Sequence, residues 1–111
     1  MAVAKVHTKD IYIPMNDYGF NIAFTLYDGT GDVFDPTGYV VTLKVWTYDV
    51  PAVLLLTGVG GITSGVDGKV YYTIQSGDFT TEGTFMAEIE LTKAGQVESF
   101  RNHVLHVTES G

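Results

Sequence analysis

Hydrophobic and polar residues alternate along most of this chain. Phe20, Ile22, Phe24 and Leu26 fall on even positions, with Asn21, Ala23 and Thr25 between them. Tyr39, Val41, Leu43 and Val45 share one parity against Val40, Thr42, Lys44 and Trp46. Val70, Tyr72 and Ile74 form a third set, and Phe85, Ala87, Ile89 and Leu91 a fourth, interleaved with Met86, Glu88 and Glu90. A period of two sends successive side chains to opposite faces of a strand, so each run predicts a strand with one buried and one wet face. The predicted core is Ile22, Phe24, Leu26, Val41, Leu43, Val45, Val70, Tyr72, Ile74, Phe85, Ala87, Ile89 and Leu91.

Turn-forming residues punctuate the runs at Asp28-Gly-Thr-Gly31, Asp35-Pro-Thr-Gly38, Val66-Asp-Gly-Lys69 and Lys93-Ala-Gly-Gln96. Asp67-Gly68 between two strand-like segments predicts a short hairpin. Strands are expected near 4–13, 18–28, 39–48, 53–57, 69–75, 84–92 and 97–108, with room for one helical turn at most over Ser76–Glu82. In the last run Phe100 and Val104 share a parity opposed to Leu105 and Val107, which a bulge near Asn102-His103 reconciles. Gly58-Val-Gly60-Gly61-Ile-Thr63 reads as a flexible loop. Seven short strands in about a hundred residues predict an all-β, immunoglobulin-like antiparallel β-sandwich, a single domain over 1–111. The likeness is architectural only, because the chain has no cysteine for an inter-sheet disulfide and Trp46 falls on the outward register.

Composition agrees with the pattern and narrows the function classes. Val, Ile, Thr and the aromatics total 48 of the 111 residues, against 29 for Ala, Leu, Glu, Lys, Arg, Gln and Met. Thirteen acidic against six basic residues leave a formal charge of −7, which argues against nucleic acid and against anionic membrane surfaces as partners. Without cysteine there is no thiolate metal site and no cysteine nucleophile. The apolar run Val53–Leu56 is far shorter than a membrane-spanning helix, and the first ten residues lack the apolar stretch of a secretory signal. The expectation is a soluble chain assembled in a cytoplasm.

Candidate chemistry is sparse. No serine sits in a Gly-x-Ser-x-Gly elbow, and the Gly58–Thr63 stretch lacks the third glycine and the following helix of a phosphate-binding turn. Glu88 and Glu90 lie about 6.6 Å apart on one strand face, a spacing compatible with paired-carboxylate chemistry but read here as a solvated polar face. His103 and His106, three positions apart, fall on opposite strand faces and are read as surface or strand-edge residues that share no metal. His7 joins no site with them. Asp28, Asp32 and Asp35 match no calcium loop and are expected to bond their own turn backbones. No cofactor and no metal are expected, and no enzymatic activity.

The outward aromatics are the candidate interaction residues. Trp46 and Tyr48 share a solvent-side register, Tyr71 is outward on another strand and Tyr27 ends a third. In an immunoglobulin-type sandwich the strand of Trp46 neighbours that of Met86, giving an apolar patch of Trp46, Met86 and Tyr48 rimmed by Lys44, Glu88 and Glu90. Contact with other protein subunits, including copies of this chain, is the favoured use; stacking of sugar rings is the alternative.

Three stretches carry a family likeness: Phe24-Thr-Leu-Tyr-Asp-Gly-Thr-Gly31 with Val33-Phe-Asp-Pro-Thr-Gly-Tyr-Val-Val-Thr-Leu-Lys-Val45; Gly68-Lys-Val-Tyr-Tyr-Thr-Ile74; and Asp78-Phe-Thr-Thr-Glu-Gly-Thr-Phe-Met-Ala-Glu-Ile-Glu-Leu91. Their series of strands, Asp-Gly turn and Thr-Gly corner resembles the N-terminal immunoglobulin-like domain of phage baseplate upper proteins, with Pro36 where that family has leucine. The resemblance implies a bacteriophage virion structural protein of the baseplate, tail or capsid surface, such as a decoration protein, and implies no catalytic residue.

Overall fold

The computed structural model describes residues 9–109, which form eight strands and no helix. They are β1 (Lys9–Pro14), β2 (Asn21–Thr25), β3 (Val40–Trp46), β4 (Leu54–Val59), β5 (Gly61–Ser64), β6 (Lys69–Thr73), β7 (Gly83–Lys93) and β8 (Gln96–Thr108). Two sheets result, one ordered β1-β8-β7-β3-β4 and the other β2-β6-β5. The β8-β7-β3 and β2-β6-β5 groupings are those of an immunoglobulin-type sandwich, with β4 added beyond β3. The first strand departs from a purely antiparallel pattern, for β1 lies parallel to β8. Expected positions 4–8 and His7 lie outside the described residues.

Alternating burial in β2, β3 and β6 follows the alternating sequence, and all of the predicted core is buried except Phe85, which is half-buried. Ile13, Phe79, Phe100, Leu105 and Val107 complete the cluster between the sheets. The bulge falls in β8 one residue before its expected place. Ala87 faces His103 and Ile89 faces Phe100, so Glu88 alone opposes Arg101 and Asn102. This lets Phe100, His103, Leu105 and Val107 all point inward and turns Val104 outward. His103 is therefore buried, edge-on to Phe24 with ring centroids 4.9 Å apart, and not the surface residue expected.

The glycine-rich stretch read as a loop is instead the passage from one sheet to the other. β4 ends at Val59, Gly60 donates its N–H to the Val41 carbonyl at 2.9 Å, and β5 begins at Gly61. Glycine is needed because a Cβ at Gly60 would run into the Tyr71 carbonyl, and one at Gly58 into the Tyr72 ring. The eighth strand, β5, forms the anticipated hairpin with β6, Ser64 opposite Lys69. Ser76–Glu82 holds a hydrogen-bonded turn closed by Asp78 N–H to the Gln75 carbonyl at 3.1 Å.

Candidate protein-contact surface

The outer face of the five-stranded sheet gathers the outward members of the alternating runs. Trp46 lies directly opposite Met86 across the β3–β7 ladder, as expected. Met86 pairs with Val104 on β8, and Trp46 with Leu54 on β4. These pairings make a transverse row, Val104–Met86–Trp46–Leu54, crossing four strands. Leu54 is exposed and the other three are half-buried.

One step along the strands the row gives way to charge. Lys44 and Glu90 form an ion pair at 3.0 Å. Glu88 is not the solvated carboxylate expected but is 4% exposed. Its Oε1 accepts the Trp46 indole N–H at 3.2 Å, and the Arg101 Nε lies 3.4 Å from Oε2. Trp46 is thus fixed in orientation, and the charged border holds paired groups. Both carboxylates have structural partners, Glu90 in Lys44 and Glu88 in Trp46 and Arg101.

On the other side of the row, on β1, β8 and β7, stand Tyr12, His106 and Thr84. Tyr12 stacks on His106 with centroids 4.7 Å apart, while His106 Nε2 lies 3.1 Å from Asp10 Oδ1 and Nδ1 3.4 Å from Thr84 Oγ1. Thr84–His106–Asp10 has the connectivity of a hydrolytic triad and lies on the sheet face, apart from a groove in the fold. That groove, about 240 Å³, lies at the sandwich edge among Val45, Leu55, Leu56, Phe79 and Phe85. Its acid, Asp78, is engaged by the Tyr72 hydroxyl at 2.6 Å and the Gln75 N–H at 2.8 Å. Burial, reinforced by that carboxylate, pushes the Tyr72 phenol well above its ordinary pKa.

The remaining candidates are dispersed. Tyr48 is exposed but lies in the β3–β4 connection, two residues beyond the end of β3. Tyr71 is half-buried on the outer face of the other sheet, and Tyr27 bridges Val33 beyond the end of β2. The structure therefore unites Trp46 and Met86 and separates them from Tyr71 and Tyr27. Tyr12 and Tyr18 are exposed aromatics that the sequence reading missed; for Tyr12, Ile11 and Ile13 on either side of it were the signal.

The acidic turns bond to themselves. Asp28 Oδ1 accepts the Thr30 hydroxyl at 2.7 Å, the Thr30 N–H at 2.8 Å and the Asp32 N–H at 3.1 Å. Asp35 Oδ1 accepts the Thr37 hydroxyl at 2.6 Å and its N–H at 2.9 Å. These bonds, those from the threonine hydroxyls first, hold both carboxyls below the ordinary carboxylate range. Among the described residues no group of three or more His, Asp or Glu side chains is placed to hold a metal ion. No protein-family model matches the sequence, and comparison with curated proteins finds no significant match.

Proposed function

We propose that this chain is a non-enzymatic structural protein of a bacteriophage virion, in the baseplate, tail or capsid surface, assembled in the host cytoplasm and acting by contact with other virion proteins or copies of itself. The observation that carries the contact role is the Val104–Met86–Trp46–Leu54 row: apolar side chains in line across four strands, with the Trp46 indole held by Glu88 and paired charges alongside. An apolar centre beside a polar border, anchored by an oriented tryptophan, suits a protein interface. The virion setting rests on the family resemblance of the strand and turn series. Replacing Trp46 by Ala is expected to leave the sandwich folded by circular dichroism while weakening assembly by about 2 kcal/mol, roughly thirtyfold. Incorporation of Trp46→Ala into particles at the parental level would sink the contact role of this face.

Sugar stacking has one observation in its favour, at a different place from the one the sequence suggested. Tyr12 is 66% exposed, and Asp10, His106 and Thr84 supply polar groups beside its ring. A screen against cell-wall glycans, with Tyr12→Ala as the control, separates this reading from protein docking.

A further inference from the structure

The chain is strongly acidic, yet from Val50 to Val66 it carries no charged side chain, the longest such stretch in the sequence. Eight of the fourteen exposed large hydrophobic residues of the described chain fall between Tyr48 and Val66. β4 runs through this segment at the margin of the five-stranded sheet, paired with β3 on one side and, among the described residues, with no strand on the other. Because Gly60 bonds back to Val41, antiparallel alternation turns the backbone groups of Gly58 and Leu56 toward β3 and those of Thr57 and Val59 toward the open side. The other margins are guarded. β1 carries Lys9, Asp10 and Pro14, β2 lies between Asp17 and Asp28, and β5 is four residues long. An uncharged, apolar, open strand edge invites another strand.

We propose that β4 is a self-association edge, at which two copies of this chain pair antiparallel about a two-fold axis at Thr57 and join their five-stranded sheets into one of ten strands. The occupant is a second copy for two reasons. Two chains of charge −7 repel one another, and the uncharged edge is where they approach with least repulsion. An antiparallel strand is also its own complement. The axis at Thr57 brings Val59 of each copy, 75% exposed, opposite Leu55 of the other, 54% exposed and the extra residue of the bulge that β4 makes against β3. One strand pair is a small interface, so the dimer is concentration-dependent. It strengthens with salt, which screens the repulsion between the acidic bodies. The Trp46 row ends at Leu54, the first residue of β4, whereas the pairing centres on Thr57 and uses the open backbone edge, with no contact from Trp46; the inference stands whether or not the chain belongs to a virion.

The test is sedimentation equilibrium of the full 111-residue chain across a concentration series at low and high salt. Mass is expected to rise from one chain to two, at lower concentration in high salt, with amide exchange at Thr57 and Val59 slowed in the dimer. Val59→Lys, which sets a cation near its symmetry mate's strand, and Thr57→Pro, which removes an outward N–H, are each expected to raise the dissociation constant at least tenfold. Circular dichroism verifies folding of each variant, and Trp46→Ala should dimerise like the parent. A chain that stays monomeric at every concentration and salt overturns the proposal. So does a folded Val59→Lys protein that associates as the parent does, or association abolished by Trp46→Ala and untouched at β4.

Discussion

Glu88 is an acidic side chain buried on the face of a sheet that points away from the core, and its two partners are unequal. The Trp46 indole is half-covered and directly bonded, whereas the Arg101 side chain is 65% exposed and lies 3.4 Å away. An exposed partner contributes little, because water and salt screen it. Glu88→Ala is therefore expected to destabilise the domain by about 1–3 kcal/mol and to shift Trp46 fluorescence, while Arg101→Ala should cost less than about 1 kcal/mol. Urea unfolding of the two variants checks the order. Leu43 tests the opposite face: fully buried between Ile89 and Gly58, it should lose about 2–5 kcal/mol on truncation to Ala. A loss under about 1 kcal/mol in denaturant unfolding would contradict its core position. Parity in the sequence assigned Leu43 and Glu88 to their correct faces. It could not tell that Glu88 is covered, because what lies over an outward side chain depends on the long neighbours, Trp46 and Arg101, that strand pairing brings beside it.

At the scale of elements, the strands legible from alternation are those with one face in the core: β2, β3, β6 and β7. β4 and β5 were harder to read for a physical reason. Both lie at sheet margins with little burial to impose a period, and their glycines, Gly58 and Gly61, make room for the Tyr72 and Tyr71 rings and do not serve turn dihedrals. The sheet that β1 joins was not legible, since its pairing with β8 links residues more than ninety positions apart. Within β8 the parity conflict did reveal the bulge, because a two-residue period cannot absorb an extra residue without leaving a mark. The sheet crossing gives the sharpest element-level prediction. Gly60→Ala must displace the backbone carbonyl of Tyr71 or break the Gly60–Val41 bond, and is expected to cost about 1–3 kcal/mol. Gly95→Ala, in a turn with open space around it but φ at 77°, carries only the left-handed backbone penalty. Gly60 is not among the positive-φ glycines, so its urea midpoint reports the crowding at the crossing and that of Gly95→Ala the backbone penalty.

For the whole molecule, stability is bounded by proton uptake at one end of the pH scale and proton loss at the other. The Asp28 and Asp35 carboxyls are lowered in the fold, so they bind fewer protons than in the unfolded chain just below pH 4; their stabilisation is complete above the ordinary value of 3.8 and is lost as pH falls through their lower folded values. Tyr72 is raised, so its contribution is complete below its ordinary value of 10.0 and disappears as pH climbs toward the higher folded value. Thermal unfolding across pH should show a plateau between these limits. Asp28→Asn should flatten the acid limb, and Tyr72→Phe the alkaline one. An alkaline limb unchanged in Tyr72→Phe would remove the phenol as its origin.

The parallel alliance of β1 with β8 has a mechanical side. Their register runs from Lys9 beside His103 to Pro14 beside Thr108. Tension that draws Lys9 and Thr108 apart pulls the two strands past each other lengthwise, loading the cross-strand bonds of the pair together; an antiparallel hairpin pulled from its open end yields bond by bond. Along that axis the seam between β1 and β8 acts as a clasp in shear, and resistance to force is set by the rate at which the whole seam gives way.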